Sequence, residues 1–172
     1  FLQIKIPTPV GFTSFHLGNT FCVLAALLLG GVPGGIAGAV GMGIGDLLDP
    51  VYITVAPKTL ILKMGIGLVT GLLAHKVFHI TKKTGKDLYR SVVLSCTGGM
   101  VFNMIGEPVI SYLYYLIALG NAEKAATYLA VAKFVTTGVN AVLAIVIASA
   151  LYVAIYPRLK SNGVLQKIAP KD

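Results

Sequence analysis

Five long apolar runs fill most of this 172-residue chain, and only short breaks separate them. A helix that crosses a membrane needs about 17–25 apolar residues, a length that these runs approach or exceed. They cover residues 15–29, 32–48, 59–80, 88–119 and 125–156. Only 12% of the residues are charged, about half the share of roughly 25% in soluble domains. The sequence therefore predicts an all-α, polytopic membrane helix bundle that forms a single domain over residues 1–172.

The distribution of lysine and arginine predicts the orientation of the bundle. Short loops rich in these residues stay on the cytoplasmic side of a membrane. Two regions qualify, the connection between the third and fourth runs and the C-terminal tail: Lys82, Lys83, Lys86, Arg90, Arg158, Lys160, Lys167 and Lys171. An even number of crossings separates them, so both can be cytoplasmic. We therefore expect a multi-pass protein of the plasma membrane with a cytoplasmic C-terminus.

The first residues give no initiator methionine and no signal-peptide pattern. We interpret residues 1–6 as the end of a helix whose beginning is missing. Five spans are then visible, and a missing N-terminal helix raises the total to six. The connections at residues 49–58 and 120–124 face the outside in this arrangement.

Three ionisable residues interrupt the apolar runs at a similar depth. Lys63, Glu107 and Lys133 each fall in the outer half of a predicted span. A charged side chain inside a membrane is costly, so it normally faces the interior of the bundle or a wet cavity. We therefore expect the three side chains to converge.

Neighbouring polar and aromatic residues extend this predicted site. Asn103 lies one helical turn before Glu107, and Asn140 lies two turns after Lys133. Pockets for small ligands combine mostly apolar walls with a few placed polar groups. The candidate substrate-binding residues are Phe12, Phe15, His16, Asn19, Lys63, Asn103, Glu107, Tyr128, Lys133, Thr136 and Asn140. The alternative is a structural lysine–glutamate pair that binds no ligand.

Other sites receive little support from the sequence. No phosphate-binding loop, zinc-protease helix or nucleophile elbow is present, so we predict neither an enzyme nor a metal site. Cys22 and Cys96 lie in apolar runs and are interpreted as small hydrophobic residues. His75 and His79 are four residues apart, but a basic flank favours interfacial imidazoles over metal ligands. The net charge of +8 comes from short basic stretches at membrane ends, so we expect no nucleic-acid binding.

Glycines repeat at four-residue spacing in the second run. Such small residues allow close approach of helix backbones in a membrane. The spaced pairs are Gly31 with Gly35, Gly34 with Gly38, and Gly41 with Gly45. They predict packing inside the bundle, with docking of another membrane subunit as the alternative.

Several short motifs resemble one family of membrane proteins. Residues 6–19 read IPTPVGFTSFHLGN, residues 24–31 read LAALLLGG, residues 34–41 read GGIAGAVG, and residues 45–48 read GDLL. These stretches resemble the substrate-binding S components of energy-coupling factor transporters. The resemblance is strongest over residues 6–49, and span order supports it over the rest of the chain.

The resemblance implies a fold and a set of partners. An S component has six helices with both termini in the cytoplasm, and it binds a vitamin-sized ligand near the outer face. Its partners are a membrane coupling subunit and two ATPase subunits. ATP is used by those partners, and no cofactor is expected in this chain. The small-residue motif that docks the coupling subunit belongs to the first helix, which is missing here.

Within that family, the chain most resembles the branch assigned to hydroxymethylpyrimidine or pyridoxine. A small hydroxylated aromatic ring suits stacking on phenylalanine and tyrosine, with Asn103, Glu107 and Lys133 on its edge. Riboflavin and pantothenate are alternative ligands, and pantothenate needs a lysine that is free to meet its carboxylate. Outside the family, the alternatives are a non-transport membrane scaffold and a solitary ion-coupled carrier.

Overall fold

The computed structural model describes residues 3–8 and 11–170 and shows a helical bundle with a small β-hairpin at one end. Strands β1 (Gln3–Thr8) and β2 (Gly11–His16) pair antiparallel. The longer elements that follow are α1 (Gly18–Leu29), α2 (Gly31–Leu47), α3 (Ala56–Gly71), α4 (Gly85–Leu113) and α5 (Glu123–Ser161). A short helix, α6 (Val164–Ile168), ends the described chain.

Each predicted run contains a helix, although residues 15 and 16 of the first run belong to strand β2. Three stretches are long and apolar enough to cross a membrane: Ile53–Val77, Gly85–Ala118 and Glu123–Ser161. The first two continue α3 and α4 through wider turns at Leu72–Val77 and Tyr114–Ala118. Helices α1 and α2 are shorter, at 12 and 17 residues. The predicted all-α membrane bundle is confirmed at the level of fold class.

The prediction for the N-terminal residues is wrong where the structure describes them. Residues 1–6 were expected to end a helix, whereas Gln3–Thr8 is strand β1. Ile4 and Ile6 alternate with polar residues, a spacing that suits a strand. Pro7 lacks the N–H that a helix interior needs. Residues 1 and 2 lie outside the described residues, and a helix before the hairpin stays a prediction.

The glycines of α2 bring two neighbouring helices into backbone contact. A Cβ atom at Gly34 would lie 2.4 Å from the Cα atom of Ala26 in α1. On another side of α2, a Cβ atom at Gly35 would lie 2.9 Å from the carbonyl oxygen of Met64 in α3. Packing inside the bundle, the favoured interpretation, accounts for both glycines.

The hairpin contacts the middle of α5, whereas the connection between the third and fourth runs contacts its C-terminal part. Asn140 contacts the hairpin, whereas the hydroxyl of Tyr156 donates to the carbonyl oxygens of Thr81 and Lys83 at 3.0 and 3.1 Å. With a rise of 1.5 Å per residue, these two positions are about 24 Å apart along the helix. The third-to-fourth connection and the end of α5 therefore share one end of the bundle.

An apolar core fills the bundle between these ends. It includes Leu27, Ile66, Met100 and Tyr152. Cys22 and Cys96 are free and buried in the same core, as expected for small hydrophobic residues.

The prediction that His75 and His79 are interfacial is wrong for His75. Its side chain is buried, with Nε2 at 3.0 Å from the carbonyl oxygen of Leu27, so it packs inside the bundle rather than at an interface. His79 follows the end of the helix and has a left-handed backbone with φ of 46°. The two imidazoles therefore do not continue one regular helix face.

Candidate substrate-binding site

A polar cavity of about 70 Å³ lies beneath the hairpin. The hairpin and all five long helices contribute to its wall. The lining residues are Gln3, Thr13, Ser14, His16, Asn19, Met42, Asp46, Tyr52, Val55, Lys58, Thr59, Lys63, Asn103, Glu107, Lys133, Thr136, Thr137 and Asn140. This volume is well below the roughly 300–1,000 Å³ of typical ligand pockets. A vitamin-sized ligand therefore requires the hairpin or the helices around the cavity to move.

An ion pair forms one wall of the cavity. The ammonium group of Lys58, in the first turn of α3, binds the carboxylate of Glu107 in α4. The Lys58 ammonium also donates to the hydroxyl of Ser111 at 3.0 Å, and that hydroxyl donates to Glu107 at 3.2 Å. Lys58 is 2% exposed and Glu107 is 7% exposed. Each charge is therefore compensated by the other in a site with little access to water.

A second lysine faces an amide instead of a carboxylate. The buried ammonium of Lys63 donates to Oδ1 of Asn19 in α1 at 2.8 Å. Asn103 in α4 lines the same cavity, and its buried Oδ1 has no hydrogen-bond partner within the described part of the chain. Buried polar atoms are normally paired, so an acceptor without a donor is consistent with a ligand site.

The hairpin is fastened to α5 over the cavity. The hydroxyls of Thr13 and Thr136 share a hydrogen bond of 2.7 Å. The amide of Asn140 accepts from the backbone N–H of His16 at 3.1 Å and donates to the carbonyl oxygen of Ser14 at 3.0 Å. These contacts hold β2 over the cavity.

The imidazole of His16 has a defined tautomer in this arrangement. The backbone N–H of Gly18 donates to its Nδ1 at 3.1 Å. An Nδ1 atom that accepts a hydrogen bond carries no proton, so the proton of a neutral ring is on Nε2. A neutral His16 thus offers a hydrogen-bond donor at Nε2.

Strand β1 is held at its outer edge by Asp49, which follows α2. The carboxylate of Asp49 binds the ammonium of Lys5 at 2.6 Å and accepts from the amide of Gln3 at 3.1 Å. The Lys5 hydrogen bond, followed by one from the backbone N–H of Val51, holds the pKa of Asp49 below its usual range. Asp49 therefore forms an outer latch for the hairpin.

Replacing Asp49 with asparagine should loosen the hairpin at neutral pH. The change removes the ion pair, so we expect faster hydrogen–deuterium exchange in residues 3–16 than in the unmodified protein, measured by mass spectrometry. Because the pKa of Asp49 is lowered in the fold, its contribution is present at neutral pH and is lost as the pH falls below about 4. Acidification of the unmodified protein should therefore lower the protection factors of residues 3–16, which correct for the slower intrinsic exchange in acid.

A matched control tests the location of this effect. Asp87 is an exposed carboxylate near the start of α4. Asp87→Asn should leave exchange in residues 3–16 unchanged. Equal exchange in the Asp49→Asn and Asp87→Asn proteins would contradict the latch.

The structure gathers most of the predicted site residues around the cavity. Lining side chains among them are His16, Asn19, Lys63, Asn103, Glu107, Lys133, Thr136 and Asn140. The expected convergence of Lys63, Glu107 and Lys133 from three helices is therefore observed. Their role in binding a ligand stays a prediction.

The remaining predicted residues are aromatic and do not line the cavity. Phe12 and Tyr128 are 43% and 47% exposed, and Phe15 is half-buried in the hairpin. Tyr128 precedes Lys133 by five residues, which turns it about 140° away around an α-helix. The aromatic rings that do line the cavity are those of His16 and Tyr52. The ammonium of Lys133 lies 5.7 Å from the centre of the Tyr52 ring.

Lys58, Tyr52 and Asp46 are cavity residues that the sequence did not single out. Lys58 was assigned to an outer connection, although Pro57 in the first helical turn is a known start signal for a helix. Asp46, in the last turn of α2, accepts a hydrogen bond of 2.5 Å from the hydroxyl of Thr59. No sequence signal distinguished Tyr52 from the other tyrosines.

An apolar groove of about 460 Å³ adjoins the cavity between α1 and α2. It shares Gln3, His16, Met42 and Asp46 with the cavity, and Phe21 contributes to its outer wall. The polar cavity therefore has apolar surface directly beside it, a combination that small-molecule sites use.

Comparison with known proteins identifies the family. Residues 1–157 match the family described as "ECF-type riboflavin transporter, S component". The chain belongs to this family. As an S component, it is a multi-pass membrane protein that binds the substrate of a vitamin importer, and it is not an enzyme. The family implies association with a membrane coupling subunit and ATPases.

One curated relative of this S component comes from Pyrococcus woesei. It is 27% identical over 114 residues, which cover 66% of this chain and 70% of the relative. Its description, "Uncharacterized protein in gap 3'region", names no ligand. No solved structure matches the chain significantly.

Proposed function

We propose that this S component captures a small hydroxylated heteroaromatic vitamin or precursor, of the hydroxymethylpyrimidine or pyridoxine type, from outside the cell. A membrane coupling subunit and two ATPase subunits then drive its release inside. The observation that carries the proposal is the convergence of charged and amide side chains from the hairpin and the helices in one cavity. A structural lysine–glutamate pair alone would not require Asn103 or Lys63 there.

The roles of the polar groups follow from their donors and acceptors. The unpartnered Oδ1 atom of Asn103 can accept from a ring N–H or a hydroxyl of the ligand. The Nε2–H of His16 and the ammonium of Lys133 are donors for ring nitrogens or oxygens. The rings of Tyr52 and His16 offer the aromatic surface that was expected from Phe12, Phe15 and Tyr128.

The orientation of the protein in the membrane is part of the proposal. The two basic regions share the end of the bundle opposite the hairpin, and positive charge favours the cytoplasmic side. The hairpin then covers the cavity on the outside, and the C-terminus is cytoplasmic. ATP is consumed by the partner subunits, and this chain needs no cofactor of its own.

Riboflavin is the second candidate ligand, because the matching family carries its name. Its three fused rings require more room than a single ring. Binding of riboflavin would therefore require the adjoining apolar groove in addition to the polar cavity.

Calorimetry on the purified protein in nanodiscs tests the ligand. We expect hydroxymethylpyrimidine or pyridoxine to bind more tightly than riboflavin and pantothenate in a panel of these four compounds. Mass spectrometry of small molecules that co-purify checks for a ligand outside the panel. A folded protein that binds no vitamin would refute the proposal and favour a membrane scaffold.

Asn103→Leu separates ligand binding from stability. Because Oδ1 of Asn103 has no partner among the described residues, its loss should leave the thermal unfolding midpoint unchanged or raise it. The affinity for the ligand should fall about tenfold or more, since one hydrogen bond is lost. Asn162→Leu, an exposed change at the other end of the bundle, should alter neither the ligand affinity nor the cavity. A drop in stability without a drop in affinity would assign Asn103 to the fold alone.

Uptake into vesicles distinguishes the energy source. A vitamin importer of the proposed kind accumulates ligand only with the coupling subunit, the ATPases and ATP. Accumulation driven by an ion gradient without ATP would favour a solitary carrier.

A further inference from the structure

Lys63 is a buried cation that has no acidic partner among the residues that the structure describes. Its side chain is 5% exposed, and its ammonium donates to the neutral amide of Asn19. Within the described residues, the ion pairs are Lys58 with Glu107 and Lys5 with Asp49, so Lys63 takes part in none. An ammonium group has three donors, and a buried one is stable only when charge and hydrogen bonds compensate it.

The cavity as a whole has an excess of positive charge. Its lining contains three ammonium groups, from Lys58, Lys63 and Lys133, against the carboxylates of Asp46 and Glu107. Glu107 is occupied by Lys58, and Asp46 accepts from the hydroxyl of Thr59. One positive charge is therefore left over in a site largely removed from water.

We infer that the ligand carries a single carboxylate, which binds the ammonium of Lys63. The inference rests on the proposed function and narrows it: among small hydroxylated heteroaromatic rings, it favours a ring acid such as pyridoxate over the uncharged pyridoxine and hydroxymethylpyrimidine. A carboxylate brings one negative charge, which balances the excess. A phosphate ester carries about −1.5 to −2 at neutral pH and would overcompensate it. The ammonium of Lys133 attracts the same carboxylate. The Oδ1 atom of Asn103 then accepts a hydrogen bond from a donor elsewhere on the ligand.

Matched pairs of ligands test this inference directly. Each pair joins an acid to an uncharged analogue of similar size: pyridoxate and pyridoxine, nicotinate and nicotinamide, pantothenate and pantothenol. Calorimetry on the complete purified chain should show the acid of at least one pair binding about 100-fold more tightly than its analogue, because a desolvated charge pair is lost in the analogue. Pyridoxal phosphate in the same series tests whether a phosphate ester can replace the carboxylate. It should bind more weakly than pyridoxate.

The Lys63→Met variant tests whether Lys63 causes the preference for the acid over its uncharged analogue. Since Lys63 has no carboxylate partner in the described structure, the variant should fold, and it should bind acid and analogue with equal affinity. Lys86→Met, an exposed change in the first turn of α4, should keep the full preference. If Lys63→Met fails to fold, the paired ligand measurements on the unmodified protein still decide the inference. The variant Lys63→Arg, which keeps the positive charge, should retain the preference for the acid.

The outcomes separate this inference from the proposed function. An uncharged analogue that binds as tightly as its acid would overturn the carboxylate while leaving a vitamin-binding subunit in place. Pantothenate as the tight ligand would support the carboxylate and refute the aromatic ring. Failure of every acid, analogue and vitamin to bind the folded protein would overturn both.

Discussion

Replacing Glu107 with glutamine should destabilise the protein by about 3–5 kcal/mol, because it leaves a buried ammonium without its carboxylate. Lys58 is 2% exposed, and its remaining partner would be the hydroxyl of Ser111. Lys63 and Lys133 line the same cavity, so the variant also leaves three cations there against the single carboxylate of Asp46. The thermal unfolding midpoint in detergent micelles measures the loss.

Removing both members of the pair should be far less harmful. A buried ion pair replaced by apolar groups of similar volume often leaves stability unchanged or higher. We therefore expect the double variant Lys58→Met with Glu107→Leu to unfold much closer to the unmodified protein than Glu107→Gln does. Glu123→Gln, an exposed change in the first turn of α5, should have no effect. If Glu107→Gln is as stable as Glu123→Gln, the charge of Glu107 does not stabilise the bundle.

The sequence predicted which charged residues meet in the cavity better than it predicted which of them form an ion pair. A charge inside an apolar run must face the interior, so Lys63, Glu107 and Lys133 were expected to meet, and the structure brings them together. The partner of Glu107 is nevertheless Lys58, which precedes the apolar run. Because α3 begins at Ala56, with Pro57 in its first turn, the side chain of Lys58 reaches the cavity from the helix end.

The hairpin shows a different limit of sequence reasoning. The alternation around Ile4 and Ile6 indicates a strand, but the short segment also fits the end of a missing helix. The neighbours of β2 depend on its register, and Thr13 contacts a residue 123 positions later in the chain. Side chains on a strand change face with every residue, so the sequence could not decide which hairpin residues face the cavity. Phe12 and Phe15 were predicted as site residues, but they do not line it.

The glycines of α2 were predicted to pack inside the bundle, yet the sequence could not name their partners. Small residues lie on more than one face of this helix. In the structure, Gly34 and Gly38 face α1, whereas Gly31 and Gly35 face α3. Gly41 has open space around the position of a Cβ atom. This difference between glycines of one helix supports a second prediction of large effect.

Gly67→Ala should destabilise the protein by about 3 kcal/mol or more, at the upper end of the cost of overpacking. A Cβ atom at Gly67 in α3 would lie 2.3 Å from the Cα atom of Gly35 in α2. The obstacle is backbone rather than the end of a flexible side chain, so helices α2 and α3 must move apart. Cys22 and Asn19 of α1 contact α3 next to this seam, so the movement should also weaken ligand binding. Thermal unfolding and calorimetry measure the two effects.

Gly41→Ala is the matched control, and its expected effect has the opposite sign. A Cβ atom there has no neighbour within 4 Å, so the change adds no clash. Glycine in a helix interior is less favourable than alanine by about 0.5–1 kcal/mol, so the control should be slightly stabilised. Since both variants add one methyl group to a membrane helix, their difference isolates the contact between α2 and α3. Equal stability of the two variants would show that these helices are not in backbone contact, and the glycines of α2 would then be free to dock a partner subunit.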